Sequence, residues 1–400
     1  DAFGTESFDD LYTSYESDRS VPRKTIGAQE LFLDILKERA ETGRLYIMNI
    51  DHCNSHSSFL DKVEMSNLCQ EITLPTKPLE HIDDPNGEIA LCILSAVNVG
   101  KIRDLDDLKV LCDLAVRSLD ELIDFQNYPI NAAEIATKAR RSLGIGFIGL
   151  AHYLAKHGHD YNDSEAWQLV HNLTEAFQYY LISATVDLAE EKGACEYSSR
   201  TKYGNGILPI DTYKHDVDEI VPNELHYDWE DLRLRVKKHG VRNSTLSAQM
   251  PSESSSVVSN ATNGIEPPRG YLSIKKSKKG PLKQIVPQYA TLKNNYTLLW
   301  DMGSNRGYIN IVAVMQKFFD QAISGNWSYN PLQYPDNEVP ISVMAQDLLT
   351  TYKYGWKTSY YQNTYDFKTD EVDETDKESL ENLIAQLENA EEEECESCKI

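Results

Sequence analysis

Residues 89–94 read Ile-Ala-Leu-Cys-Ile-Leu, an unbroken apolar run inside the segment EIALCILSAVNVG at 88–100. A strand with one wet face alternates apolar and polar side chains. A run without alternation needs apolar neighbours on both faces, as in a parallel sheet covered by helices. The rest of the chain agrees with this reading. Residues 104–126 place Leu105, Leu108, Leu111, Leu114, Ala115, Leu119 and Leu122 at helical spacing. A longer helical pattern spans about 164–192 and meets Gly193, which suits a helix C-terminal stop. Residues 44–51 (RLYIMNID) read as a strand, and 244–250, 307–323 and 340–354 continue the alternation. Strands alternating with helices predict an α/β fold with a parallel sheet. No internal repeat is present.

Charge divides the chain in two. The formal net charge is −24 over 400 residues. Residues 366–400 hold 14 acidic and 3 basic side chains, a net of −11, which leaves −13 for the other 365 residues. We therefore read 1–365 as a globular body and 366–400 as a disordered, solvated acidic tail. Within the tail, Leu380, Leu383, Ile384 and Leu387 keep the spacing of a frayed helix. The negative charge argues against nucleic-acid binding, although a single nucleotide needs only local donors. No apolar run reaches the roughly 18 residues of a membrane span. Asp1-Ala2-Phe3-Gly4 has neither the basic nor the apolar part of a signal peptide. A cytoplasmic location, without membrane contact, is expected. The absence of an initiator Met suggests a piece of a longer gene product.

Seven cysteines are present: Cys53, Cys69, Cys92, Cys112, Cys195, Cys395 and Cys398. Without a secretory context a disulfide framework is not expected, so buried small hydrophobes or reactive thiols remain. Cys69 lies in Asn67-Leu68-Cys69-Gln70-Glu71. In an extended segment Asn67, Cys69 and Glu71 would share one face. Taken alone, that is an ordinary loop thiol. Cys92, inside the apolar run, reads as a buried and inert thiol. Met250-Pro251-Ser252-Glu253-Ser254-Ser255-Ser256 could open a helix as an anion site or be a serine-rich cap. Tyr360-Tyr361 is an adjacent pair among 23 tyrosines and fits strand packing. Cys395 and Cys398 form a CxxC with no core to staple; a dithiol shuttle suits it better than a metal pair.

Two further patterns carry less. Gly144-Ile145-Gly146-Phe147-Ile148-Gly149 spells GxGxxG, but a helical segment at 132–142 precedes it where a dinucleotide site needs a strand. A glycine-lined strand fits better. His52, Cys53 and His56 are too close in sequence to converge easily on a metal, and no metal site is expected.

The order of these motifs is more specific than any one of them. NLCQE, GEIALC with its Cys 23 residues after Cys69, PSESSS, NATNGIEPPRG, KTSYYQNT and a terminal CxxCKI follow one another. In this order they closely resemble the large subunit of class I ribonucleotide reductase, from about Phe8 to the terminus. The resemblance implies the C-terminal half of a ten-stranded α/β barrel, with Cys69 on a finger loop threading its centre. It implies that Cys69 becomes a thiyl radical that takes the 3′ hydrogen of a ribonucleoside diphosphate. Glu71 would accept the 3′-hydroxyl proton, Asn67 would hydrogen-bond the sugar, and Cys92 would be one of two thiols reducing the 2′ position. Glu253, Ser254 and Ser255 would hold the diphosphate. Tyr360 and Tyr361 would relay the radical, and Cys395 and Cys398 would re-reduce the active-site disulfide.

The implied partners are an N-terminal half of the large subunit, a small subunit storing the radical on its own metallocofactor, and thioredoxin or glutaredoxin as dithiol donor. No cofactor is expected in this chain. The second reducing cysteine has no counterpart at Cys53, Cys112 or Cys195, so the chain alone should be inactive. The two-residue spacer between Cys395 and Cys398 is shorter than in some relatives. A non-catalytic docking fragment of a reductase and a stand-alone CxxC redox protein are the competing readings.

Overall fold

In the computed structural model, residues 7–277, 280–366 and 382 are described; the side chains at 274–277 and 280–282 are not. Cys395 and Cys398, and the expected tail apart from Asp366 and Asn382, lie outside the described residues.

The described strands are short: β1 (Ile47–Met48), β2 (Ile93–Asn98), β3 (Leu143–Ile148), β4 (Leu272–Ser277), β5 (Gly280–Ile285), β6 (Trp327–Tyr329), β7 (Thr358–Ser359) and β8 (Gln362–Thr364). β2 and β3 run parallel, in register from Ile93 opposite Leu143 to Asn98 opposite Ile148. β6 and β8 are parallel, β1 and β7 antiparallel, and β4 with β5 makes a hairpin. Among the described residues these are four separate pairs and no closed sheet.

Backbone hydrogen bonds nevertheless extend β2–β3 into a longer row. Leu143 and Ile145 donate to the carbonyls of Thr245 and Leu246, and Ala248 donates back to Ile145. Gln249 donates to Ala322, and Ser324 donates to Gln249. Tyr360 donates to Gly325, and Trp327 to Tyr361. The row is thus β2, β3, residues 245–249, residues 321–329, then residues 358–364, in chain order. Helices fill each connection: Asp107–Phe125, Ser164–Lys192, Arg306–Gln316 and Ile341–Lys353 among them. Parallel neighbours require such crossovers.

Both long helices form where the spacing predicts them, but in Asp107–Phe125 the buried face is rotated from the expected one: Leu111, Leu114 and Leu122 are exposed. Ser164–Lys192 has the expected bounds, and the Gly193 N–H closes its last turn on the Ala189 carbonyl. Asp107–Phe125 buries Leu108, Cys112, Val116, Leu119 and Ile123. They join one core with Phe147, Phe177 and Phe319.

The strands depart from theirs. The expected strand at 44–51 keeps only Ile47–Met48, because a helix starts at Ile50 and its Cys53 N–H already bonds to the Asn49 carbonyl. The apolar run at 88–100 is a strand only over 93–98, and Leu91 and Leu94 are exposed. Ile89, Ala90, Cys92 and Ile93 are half-buried, so the expectation of burial on both faces fails for the whole run 89–94, Cys92 included.

Candidate active site

Asn67 shapes the segment that carries Cys69. Its side-chain Oδ1 accepts from the Ile72 N–H at 3.1 Å, its own N–H donates to the Ile72 carbonyl, and its carbonyl accepts from Gln70. Gln70 is left-handed, with φ 70°. A side chain standing in for a backbone acceptor makes a local turn competitive with a strand. The expected extended segment is therefore a tight turn, with Cys69 half-buried near its tip and Glu71 turned inward and buried.

One serine holds both. Ser324 Oγ lies 2.5 Å from the Cys69 carbonyl and 3.2 Å from Glu71 Oε2. The Ala322 N–H donates to the Glu71 carbonyl. Burial pushes the Glu71 carboxyl above its usual range, opposed by hydrogen bonding from the Asn67 side chain and Ser324. A carboxylate with a raised pKa, tied through Ser324 to the Cys69 backbone, is suited to accept a proton.

The tyrosine pair approaches the thiol itself. The Tyr360 hydroxyl donates to Cys69 Sγ at 3.6 Å, within range for a sulfur acceptor. The Tyr360 and Tyr361 rings are 4.2 Å apart between centroids, and Tyr46 packs on both, at 4.7 and 5.4 Å. Burial, and after it the interaction with Tyr361, raises the Tyr360 phenol, while hydrogen bonding with Tyr360 and Tyr46 lowers that of Tyr361. Arg39 fixes the backbone here. Fully buried, it donates to the carbonyls of Leu45, Tyr360 and Tyr361, and its guanidinium lies 4.6 Å from the Trp327 ring centroid. Burial lowers Arg39 to about 10, which leaves it charged at neutral pH. Gly43 follows its helix with φ 67°, and a Cβ there would lie 2.7 Å from the Gln362 carbonyl oxygen.

Cys92 faces the same loop. Gln321 Nε2 donates to its sulfur at 3.5 Å. Burial pushes this thiol up to about 12, and the Glu71 charge adds to the rise. The GxGxxG segment is the wholly buried strand β3, as its glycines suggest, with Gly149 left-handed just after it. A Cβ on Gly144 would meet Leu94 Cδ2 at 2.6 Å and Cys92 Sγ at 2.9 Å. That glycine makes room for the thiol.

Glu253, Ser254 and Ser255 begin the short helix Glu253–Val258 and are exposed, at the C-terminal end of the segment paired with β3. His52 and His56 serve the fold: His52 Nδ1 is 2.9 Å from the Trp356 carbonyl, and His56 bridges Thr212 and the Gln316 carbonyl. Among the described residues no group of three or more His, Cys, Asp or Glu could hold a metal. A cavity of about 870 Å³, lined by His52, Lys214, Lys317 and Tyr352 among others, includes none of the site residues. Sequence reasoning missed Ser324, Gln321, Tyr46 and Arg39. The polar residues in Asp320-Gln321-Ala322-Ile323-Ser324 beside an apolar helix were the available signal.

The site thus joins a turn-borne cysteine, a buried carboxylate that shares Ser324 with it, and a tyrosine pair that reaches its sulfur. The family model described as ribonucleotide reductase, barrel domain, matches residues 1–362, and the chain belongs to this family. It is 57% identical over 368 residues to the ribonucleoside-diphosphate reductase subunit alpha of Haemophilus influenzae, covering 91% of this chain and 49% of that protein. It is 54% identical to the 1 subunit alpha of the same name from Escherichia coli, covering 92% of this chain and 49% of that one. The phage T4 subunit alpha is 40% identical, over 99% of this chain and 51% of its own length. The chain thus spans about half the length of these curated relatives. No described helix is long and apolar enough to cross a membrane.

Proposed function

We propose that this chain is the C-terminal catalytic part of a ribonucleoside-diphosphate reductase large subunit. It reduces ribonucleoside diphosphates to 2′-deoxyribonucleoside diphosphates when joined to an N-terminal half and a radical-storing small subunit. The observation that carries the reading is the 3.6 Å contact between the Tyr360 hydroxyl and Cys69 Sγ. It offers a route by which an electron and a proton leave the thiol together. Tyr361 and Tyr46, packed on the Tyr360 ring, extend that route away from Cys69.

In this reading the Cys69 thiyl takes the 3′ hydrogen of the ribose, and Glu71 takes the 3′-hydroxyl proton. Asn67 hydrogen-bonds the sugar. Water leaves from the 2′ carbon as Cys92 and a second thiol, supplied from outside this chain, are oxidised to a disulfide. A thiyl radical survives only where water and stray donors are excluded, which the completed ten-stranded barrel would provide. Residues 1–365 are the barrel part, with Glu253, Ser254 and Ser255 on the diphosphate. Residues 366–400 are the redox tail, whose Cys395 and Cys398 reduce the disulfide and are re-reduced by thioredoxin or glutaredoxin. The radical metallocofactor belongs to the small subunit.

The test is reduction of a ribonucleoside diphosphate with the small subunit, with and without an added N-terminal half. Turnover only with every piece present supports the reading. No turnover from a folded and assembled complex leaves a docking fragment. Replacing Cys395 and Cys398 by Ser should abolish turnover driven by thioredoxin and spare turnover driven by dithiothreitol.

A further inference from the structure

Gln321 is fully buried and every polar group it carries has a partner. Its backbone N–H donates to the Ser247 carbonyl, and its carbonyl accepts from Lys357 Nζ and Gln316 Nε2, both at 2.9 Å. Its side-chain Oε1 accepts from the Thr73 N–H at 3.3 Å. Nε2 donates to the Leu143 carbonyl at 2.9 Å and to Cys92 Sγ at 3.5 Å. The amide orientation is forced. Turned over, it would set oxygen against the Leu143 carbonyl and N–H against the Thr73 N–H, two repulsive contacts in a buried place.

The consequence falls on Cys92. An N–H, and no acceptor, faces the sulfur, so the thiol's own hydrogen points away from Gln321. We infer that Gln321 is a positioning residue that aims the Cys92 S–H and favours its thiolate, tying it to the Cys69 turn through Thr73 and to β3 through Leu143. Its place in turnover rests on the reductase reading above; its hold on the thiol does not. Burial raises this thiol, and the Gln321 hydrogen bond is what opposes the rise. Gly144 leaves the space in which the sulfur sits. Lys357 adds a link: it fixes the Gln321 carbonyl from the strand segment that three residues later presents Tyr360.

The test reads Cys92 directly. The full chain and its Gln321→Met and Gln321→Glu variants are treated with iodoacetamide across a pH series. Alkylation of each cysteine is followed by peptide mass spectrometry, with buried Cys112 and Cys195 as internal references. Met keeps the length and lacks both donor and charge; Glu keeps an oxygen facing Thr73 and serves if the Met variant fails to fold. The expected result is a Cys92 profile displaced to higher pH. Its rate at fixed pH should fall by about threefold or more, as for roughly half a pKa unit, with the references unchanged. An unmoved Cys92 profile, or equal changes at all three cysteines, overturns the inference. In the assembled enzyme, Gln321→Glu should lower kcat with KM for the ribonucleoside diphosphate unchanged; an unchanged kcat overturns its place in the reaction. If the unsubstituted assembly shows no turnover, the reductase reading fails while the alkylation result still decides what Gln321 does.

Discussion

The Tyr360 hydroxyl stands 3.6 Å from the Cys69 sulfur although 291 residues separate them in the chain. Two supports meet there. Ser324 holds the Cys69 carbonyl from one side, and Arg39 holds the Tyr360 carbonyl from the other. Tyr360→Phe keeps the ring packing and removes only the hydroxyl. Turnover of the assembled enzyme should fall to background, while the unfolding free energy changes by about 1 kcal/mol or less, the worth of one ordinary hydrogen bond. Denaturant titration beside the activity assay checks both. Retained turnover would exclude Tyr360 from the relay.

Glu71's contributions to activity and to stability move oppositely with pH. Its folded pKa is raised, so the folded state holds this proton more tightly than the unfolded chain. The stability that this group contributes is fully present below the ordinary carboxyl pKa of about 4.3 and is lost as pH rises through the raised value. The proposed base needs the ionised form, so activity rises over the same interval. Glu71→Gln should cost about 10²–10⁴ in kcat and gain stability relative to the unsubstituted chain as pH increases. Ser324→Ala removes a donor to the carboxylate, and the acid limb of the pH–rate profile should move upward.

Gly144 tests the space around Cys92. An alanine Cβ there meets Leu94 Cδ2 at 2.6 Å, Cys92 Sγ at 2.9 Å and Ala248 Cβ at 3.2 Å. Overpacking of this kind costs about 1–3 kcal/mol. Gly144→Ala should lower the denaturation midpoint and reduce kcat by displacing the sulfur. Gly158→Ala, where a Cβ meets nothing within 4 Å but φ is 75°, is a control for backbone strain alone.

Lys357 is fully buried and donates to the carbonyls of Phe319, Asp320 and Gln321 at 3.2, 2.9 and 2.9 Å. Burial pushes its amine down to about 7. Between that value and its ordinary pKa of about 10.4 the unfolded chain binds the proton more tightly, so this group makes stability rise with pH across that window. Lys357→Met should abolish that rise. It should also cost roughly 2–4 kcal/mol at pH 8, where carbonyls lose their donor. Urea unfolding at pH 7, 8 and 9 reads both effects. An unchanged slope would show that Lys357 keeps its proton through the three carbonyls.

Local elements were legible in the sequence, and their meeting points were not. The helix 164–192 was readable because its apolar spacing and terminal glycine are properties of one segment. Strand ends were less so: β2 spans only Ile93–Asn98, and upstream of it the Ile89 N–H bonds to the Ala132 carbonyl, a partner beyond any local pattern. The segment at Cys69 is a turn and not extended because the Asn67 side-chain oxygen accepts from the backbone five residues on.

The sequence by itself determined the periodic helices, the glycine-lined β3 and the ordered motifs that place the chain in its family. Each depends on residues near one another along the chain. Only the tertiary structure decided that Ser324 grips Cys69 and Glu71, that Gln321 faces Cys92, and that Tyr46 completes the ring cluster. Ser324 and Cys69 are 255 positions apart. Their approach is set by how helices and strands pack across the row, and no local spacing encodes it.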